Sequence, residues 1–176
     1  MRLISIVTPC YNEEENIEEL YARVKEVMKS KLSNYNYEHI FIDNASTDNT
    51  VDKLRNISNT DKNIKIIINS RNYGHMCSPV HGMFQASGDV IISIVSDLQD
   101  PPEMIPQFIE KWEGGNDIVL AIKESSKENG LMFSLRKLYY SILGKLSEIE
   151  IFQNYTGFGL YDKKVMSAIK QLKDPY

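Results

Sequence analysis

Short apolar runs and amphipathic stretches alternate along this chain. Residues 3–8, 37–43, 64–69, 90–96 and 117–122 are rich in isoleucine and valine and are bounded by turn-forming residues, which is the pattern of β-strands. Between and after them, hydrophobic positions recur at helical spacing. That spacing predicts helices over about 13–30, 50–57, 78–86, 103–112, 132–147 and 165–172. Strand–helix alternation of this kind predicts an α/β fold, a mostly parallel central sheet flanked by helices. Residues 64–68 and 90–95 are nearly all apolar, with little of the in–out alternation of a half-exposed strand, so both are expected to be covered on two faces.

Ligands of open parallel sheets bind at the carboxyl ends of the strands. Each of the first four predicted strands ends there in a polar cluster. The first holds Thr8-Pro9-Cys10-Tyr11-Asn12-Glu13 and the second Asp43-Asn44-Ala45-Ser46-Thr47-Asp48. The third holds Asn69-Ser70-Arg71-Asn72-Tyr73-Gly74-His75 and the fourth Ser96-Asp97-Leu98-Gln99-Asp100-Pro101-Pro102. One such cluster is ordinary turn chemistry. Four on one edge predict a binding site.

The residue types narrow its chemistry. Asp43 closes a buried strand and can accept hydrogen bonds from a base or ribose, because Thr47 and Asp48 are better placed to cap the next helix. Asp97, Gln99 and Asp100 supply hard oxygen ligands, and Mg2+ or Mn2+ needs only one or two carboxylates when phosphates and water fill the remaining positions. The alternative for Asp100 is a helix cap. No G-x-G-x-x-G and no G-x-x-x-x-G-K-[ST] occurs, which argues against a dinucleotide cofactor and a P-loop enzyme. Neither is there a nucleophile elbow. Among the three histidines, His75 is a candidate contact to phosphate or sugar, whereas His39 and His81 read as packing or surface residues.

Composition sharpens this picture by exclusion. The net charge is −4 and no basic run exceeds Arg136-Lys137, so no nucleic-acid partner is expected. The two cysteines, Cys10 and Cys77, form neither a metal spacing nor a disulfide framework and suit a reducing compartment. Cys10 reads as a small buried filler rather than a nucleophile. Met1-Arg2 leads straight into a strand-like run, so no secretory leader is expected, and no segment approaches the ~20 apolar residues of a bilayer span. The expected setting is cytoplasmic, with the cytoplasmic face of a membrane as the alternative. At 176 residues, 1–176 reads as a single catalytic domain. Asp174-Pro175-Tyr176 shows neither cap nor polar tail, which predicts that the natural sequence continues towards acceptor-side or membrane segments.

With these motifs laid out, the chain resembles the family 2 glycosyltransferases of the GT-A (Rossmann-like) nucleotide-binding fold. It is most similar to those that load a sugar onto polyprenyl or dolichyl phosphate. Residues 6–17, beginning Ile6-Val7-Thr8-Pro9, resemble the family's first-strand signature, and Asp43–Thr50 resembles its Asp-Asp-Gly-Ser-x-Asp-x-Thr loop. Arg71-Asn72-Tyr73-Gly74 and Asp97-Leu98-Gln99-Asp100-Pro101-Pro102-Glu103 resemble its next two motifs. The resemblance implies that Pro9, Tyr11, Glu13 and Asp43 line the nucleotide pocket, with Asn44 and Ser96 beside them and Arg71 near the base or phosphates. It implies Asp97 and Gln99 as metal ligands, and Arg136 as the group that grips an acceptor phosphate through two oxygens at once. This chain departs from the family at Val95, where a first metal aspartate is usual, and at Asn44, which replaces a second aspartate. It also has Gly157 and Gly159 where an acid and an arginine are usual.

The implied activity is inverting transfer of a sugar from a UDP- or GDP-sugar to a lipid phosphate or a glycan. A phosphate acceptor arrives ionised, whereas a sugar hydroxyl needs a base, for which Asp100 is the candidate. Two alternatives stand beside it. Val95 and Asn44 suit a non-catalytic nucleotide-sugar binding module. A sugar nucleotidyltransferase would need a glycine-rich loop with a basic residue after the first strand, which Pro9–Asn12 lacks. Residues 132–147 carry an apolar stripe with Arg136, Lys137 and Lys145, suited to packing on the domain or to lying against a membrane.

Overall fold

The computed structural model describes residues 1–123 and 155–172. The chain clusters into two units, 1–119 with 157–176, and 120–156. The predicted helix over 132–147 lies outside the described residues, as does Arg136.

Strands β1 (Leu3–Cys10), β2 (Asn36–Asp43), β3 (Ile64–Ile68), β4 (Val90–Ser93), β5 (Ile118–Ile122) and β6 (Tyr155–Asp162) form one six-stranded sheet, ordered β3-β2-β1-β4-β6-β5. β1 runs parallel to β2 and β4, and β2 runs parallel to β3. Only β6, among the registered pairs, runs antiparallel to its neighbour β4, with Ser93 opposite Gly159. The helices are α1 (Ile17–Lys31), α2 (Thr50–Thr60), α3 (Gly74–Phe84), α4 (Ile105–Glu113) and α5 (Lys163–Gln171), and one 3-10 turn, Pro102–Met104, precedes α4. No helix among the described residues is long and apolar enough to cross a membrane.

Alternation along the strands sorts the core into two layers. Val7, Ile40, Ile42 and Ile91 pack with Met83 of α3 and Met166 of α5. Their strand neighbours Ile6, Phe41 and Ile92 are fully buried and point the other way. Burying a side chain such as Phe41 stabilises the fold by about 1.5–3 kcal/mol. Gly82 lets α3 approach the sheet: a Cβ there would stand 2.9 Å from Val7 Cγ1 and 3.0 Å from Ile42 Cγ2.

Three expectations need correction. Helix α1 begins at Ile17 rather than 13, because Glu13–Asn16 forms a turn in which the Asn16 and Ile17 amides both donate to Glu13 O. Helix α3 begins at Gly74, a turn before the expected Ser78, and holds Pro79 inside it at the cost of one backbone bond. Residues 155–162, to which the sequence pattern assigned no element, form β6, where Phe158 and Leu160 are fully buried.

Candidate active site

Strand order fixes where the polar clusters meet. β1 lies between β2 and β4 and all three run the same way, so the loops after Cys10, Asp43 and Ser93 leave from one edge. Asp43 stands beside Cys10 in register. On the other side of β1, Ile94 N–H donates to Val7 O at 3.0 Å and Ser96 Oγ donates to Pro9 O at 3.1 Å. Asp97 follows directly, so Asp43 and Asp97 share this edge with one strand between them.

Side chains lace these loops together. Asn12 N–H donates to Ser46 Oγ at 2.9 Å, and Thr47 N–H returns a bond to Asn12 Oδ1 at 2.8 Å. Glu13 N–H donates to Thr50 Oγ1, and Asn49 donates twice to Glu14 Oε2. Asp48 receives Thr50 N–H at 3.0 Å and Thr50 Oγ at 2.6 Å, so it serves the start of α2 and releases Asp43 from that task. Burial opposes the ionised Asp48, but the bonds from Thr50 outweigh it and hold its carboxyl below the usual range.

Asp43 is fully buried. Its Oδ2 accepts Ser46 N–H at 3.0 Å, while Oδ1 has no hydrogen-bond partner among the described residues. A buried acceptor without a donor is uncommon and needs an explanation. Asn44 is fully engaged: its amide donates to Asn72 Oδ1 at 2.8 Å and its oxygen accepts Tyr73 N–H at 2.9 Å, with Asn69 as a further donor. It ties the second loop to the third. Arg71 lies exposed with its guanidinium 4.8 Å from the centre of the Tyr73 ring. Tyr11 is exposed, and Pro9 and Glu13 are half-buried, Glu13 accepting from Asn16 Nδ2 at 2.7 Å.

In the fourth loop Asp97 is exposed and its Oδ1 accepts Gln99 N–H at 3.0 Å. Asp100 is buried at the far end of the same loop. No group of three or more His, Cys, Asp or Glu side chains that could hold a metal ion is found among the described residues. Cys10 is buried, and its thiol is pushed up by burial and then by the charges of Asp43, Glu13 and Asp48. Buried beside Asp43, it is a small filler of the strand end rather than a nucleophile. His75 is exposed at the start of α3, while His39 is buried in β2.

An open depression of about 690 Å³, lined by Arg2, Asp89, Trp112, Asp117 and Asp162 among others, lies instead at the opposite, amino edge of β1 and β4. Its acids already have partners: Asp89 takes Leu3 N–H, Asp162 takes Trp112 Nε1–H, and Asp117 pairs with Lys164. The loop edge, where Asp43 Oδ1 has no partner among the described residues, is the better candidate. Lacing by Asn12, Ser46 and Thr50 was not expected from the sequence; the density of Asn, Ser and Thr in the loops was the available signal.

A mostly parallel α/β sheet with its polar loops at one carboxyl edge is the architecture of the GT-A glycosyltransferases, and solved structures of that fold superpose on this chain. The chain belongs to glycosyl transferase family 2, whose family model matches residues 5–169. An uncharacterized glycosyltransferase of Synechocystis sp. is 40% identical over 97% of this chain and 54% of its own length. A bactoprenol glucosyl transferase of Shigella phage SfV is 36% identical over 97% of this chain and 55% of its own length. The chain thus spans about half the length of the curated relatives it matches. Among solved structures, a mannosyltransferase from Pyrobaculum calidifontis in complex with GDP-Man and Mn2+ superposes with a TM-score of 0.65 at 18% identity, covering 94% of this chain and 46% of that one. Glucosyl-3-phosphoglycerate synthase from Mycobacterium tuberculosis, in complex with Mn2+, UDP and phosphoglyceric acid, gives 0.64 at 21% identity over 93% and 57%.

Proposed function

We propose that this chain is the donor-binding part of a metal-dependent, inverting glycosyltransferase that moves a sugar from a UDP- or GDP-sugar to a polyprenyl phosphate or a glycan. The observation that carries the reading is the unpartnered Asp43 Oδ1, buried at the edge it shares with Asp97. A base that donates to it would relieve the cost of an unsatisfied acceptor. Because Oδ1 is buried, the base reaches it only after a local shift of the covering loops.

Pro9, Tyr11, Glu13, Asn44, Arg71 and Ser96 complete the donor side, Arg71 and Tyr11 offering exposed groups and Asn44 and Ser96 holding the loops in place. Asp97 and Gln99 would hold Mg2+ or Mn2+. One exposed carboxylate with neighbouring amide oxygen fits an ion that keeps water and phosphate oxygens in its shell. When bound, such an ion neutralises charge developing on the departing nucleoside diphosphate. The acceptor attacks the anomeric carbon from the opposite face. A phosphate acceptor needs no base, and Arg136 would orient it; a hydroxyl acceptor would pass its proton to Asp100. The bactoprenol-named relatives support the lipid phosphate, and with it a place at the cytoplasmic face of a membrane.

The test is a thermal-shift panel of UDP, GDP and their sugar nucleotides, with and without manganese, followed by sugar transfer to a polyprenyl phosphate. Ligand that binds the folded state raises its melting temperature by mass action. Manganese-dependent stabilisation and transfer are the expected results. Nucleotide binding indifferent to metal, with no transfer, would instead make the chain a non-catalytic binding module, a reading that Val95 and Asn44 suit.

A further inference from the structure

The Asp97–Asp100 turn is held in an unfavourable shape. Leu98 adopts φ 59° without being glycine, a conformation that persists only where its surroundings over-determine it. Within the turn, the bond from Gln99 N–H to Asp97 Oδ1 is local and cannot fix the turn relative to the sheet. Two anchors outside it can. Ahead of the turn, Ser96 Oγ is bonded to Pro9 O of β1. Behind it, Arg23 of α1 meets Glu103 as a two-point fork, Nε to Oε1 at 2.9 Å and Nη2 to Oε2 at 2.6 Å. Between fork and turn stand Pro101 and Pro102, whose fixed φ angles transmit position with little slack. Both anchors therefore belong to the same β1–α1 segment that carries Pro9, Tyr11 and Glu13.

We propose that the Arg23–Glu103 fork is a positioning device: it holds Asp97 and Asp100 at fixed places relative to the first loop. The proposal rests on the donor and metal roles given above to these residues. An ion pair as exposed as this one adds little to global stability. What a bidentate guanidinium–carboxylate pair does supply is direction, which a lysine cannot reproduce. Left without Glu103, Arg23 retains, among the described residues, Glu19 on its own helix, 3.5 Å away, and that contact orients nothing in the turn. The bond from Arg23 also holds the Glu103 carboxyl below its usual range, so the fork persists through the neutral pH at which transfer would be assayed.

Arg23→Ala, Arg23→Lys, Glu103→Ala and the exchanged pair Arg23→Glu/Glu103→Arg separate the possibilities. Three readouts are needed on the whole chain: hydrogen exchange of the Leu98–Asp100 amides, the manganese concentration that half-saturates stabilisation by UDP or GDP, and the melting temperature. In the alanine variants we expect faster exchange in the turn and a manganese requirement raised about tenfold or more, as for other lost supports of metal ligands. The melting temperature should move by less than about 3 °C. The exchanged pair should recover most of both effects and Arg23→Lys only part. Wild-type exchange in the alanine variants overturns the proposal, as does a raised manganese requirement with unchanged exchange. A wild-type chain that no nucleotide with manganese stabilises overturns the functional reading instead, which the exchange data do not depend on.

Discussion

Asp43 gives one carboxylate oxygen to the Ser46 amide, 3.0 Å away, and keeps the other buried with no partner among the described residues. One free acceptor oxygen matches one donor. The uracil imide presents a single N–H, whereas guanine presents two adjacent donors that favour a whole carboxylate.

UDP is therefore expected to stabilise the chain more than GDP at equal concentration. Asp43→Asn retains an oxygen for Ser46 but loses the charge and the second acceptor. A charge-assisted bond contributes about 1.5–3 kcal/mol, so UDP affinity should fall by tenfold or more while the free protein stays as stable. Calorimetric titration of both proteins checks this; equal affinity would remove Asp43 from the base pocket.

Asp100 is buried in the loop that carries Asp97, three residues further on, which is the place from which a carboxylate would serve a hydroxyl acceptor. Asp100→Asn should slow transfer to a sugar hydroxyl by about 10²-fold or more and leave the manganese-dependent nucleotide shift intact. Transfer to a polyprenyl phosphate should be unaffected, because that acceptor has no proton to lose. Full turnover to a hydroxyl acceptor in the variant would strip Asp100 of the role.

Val95 and Gly157 meet at this edge as well: Val95 Cγ1 lies 3.5 Å from where a Gly157 Cβ would sit. Both positions depart from the residues usual in the resembling family, and the structure shows that they are neighbours. Gly157 has φ 93° and no side chain, which leaves space beside residue 95. Val95→Asp, two residues before Asp97, should add a second carboxylate and lower the manganese requirement several-fold. An unchanged requirement would mean that side chain 95 is turned away from the ion.

The sequence foretold the parallel strands because their buried, branched residues form unbroken runs, as in Ile64–Ile68 and Val90–Ser93. It also placed Asp43 and Asp97 on one edge, since parallel strands joined by helices leave no alternative. β6 was hidden. Gly157 and Gly159 look like loop residues, and the strand exists because Phe158 and Leu160 gain full burial once it pairs with β4. The engagement of Asn44 with Asn69, Asn72 and Tyr73 was equally hidden, because it needs two loops brought together across the sheet edge. The Arg23–Glu103 fork, 80 residues apart in sequence, could not be read from local spacing at all.

His39 gives the fold its own pH dependence. It is fully buried in β2, its Nε2 2.9 Å from Thr8 Oγ1 and its Nδ1 without a partner among the described residues. Burial pushes its pKa down to about 3, with Asp61 opposing weakly. The folded value lies below the unfolded one, near 6.5, so the unfolded chain takes the proton first. Stability is then complete above about pH 6.5 and is lost as pH falls towards 3, by about 2 kcal/mol at pH 5. Urea unfolding at a series of pH values should show this slope in wild type, and His39→Gln, which can keep a bond to Thr8, should flatten it. An identical slope in the variant would assign the loss to carboxylates.

Ala45 follows Asn44 with φ 66°, one of three non-glycine residues at positive φ among those described, the others being Asn12 and Leu98. All three lie in loops after β1, β2 and β4, so backbone strain collects at the candidate site. Asparagine tolerates this region because its short polar side chain bonds locally, as Asn12 does with Thr47. Alanine has no such compensation, and the family loop that Asp43–Thr50 resembles carries glycine at this place. Ala45→Gly should remove about 1 kcal/mol of native strain, against which stands the greater entropy that glycine gives the unfolded chain. The net expectation is a gain of a few tenths of a kcal/mol to about 1 kcal/mol in denaturant unfolding. Because Ser46 N–H still reaches Asp43 Oδ2, nucleotide affinity should stay within about twofold. A loss of stability would show that the left-handed turn is held without strain, and that glycine at this place answers to a ligand's approach rather than to the backbone.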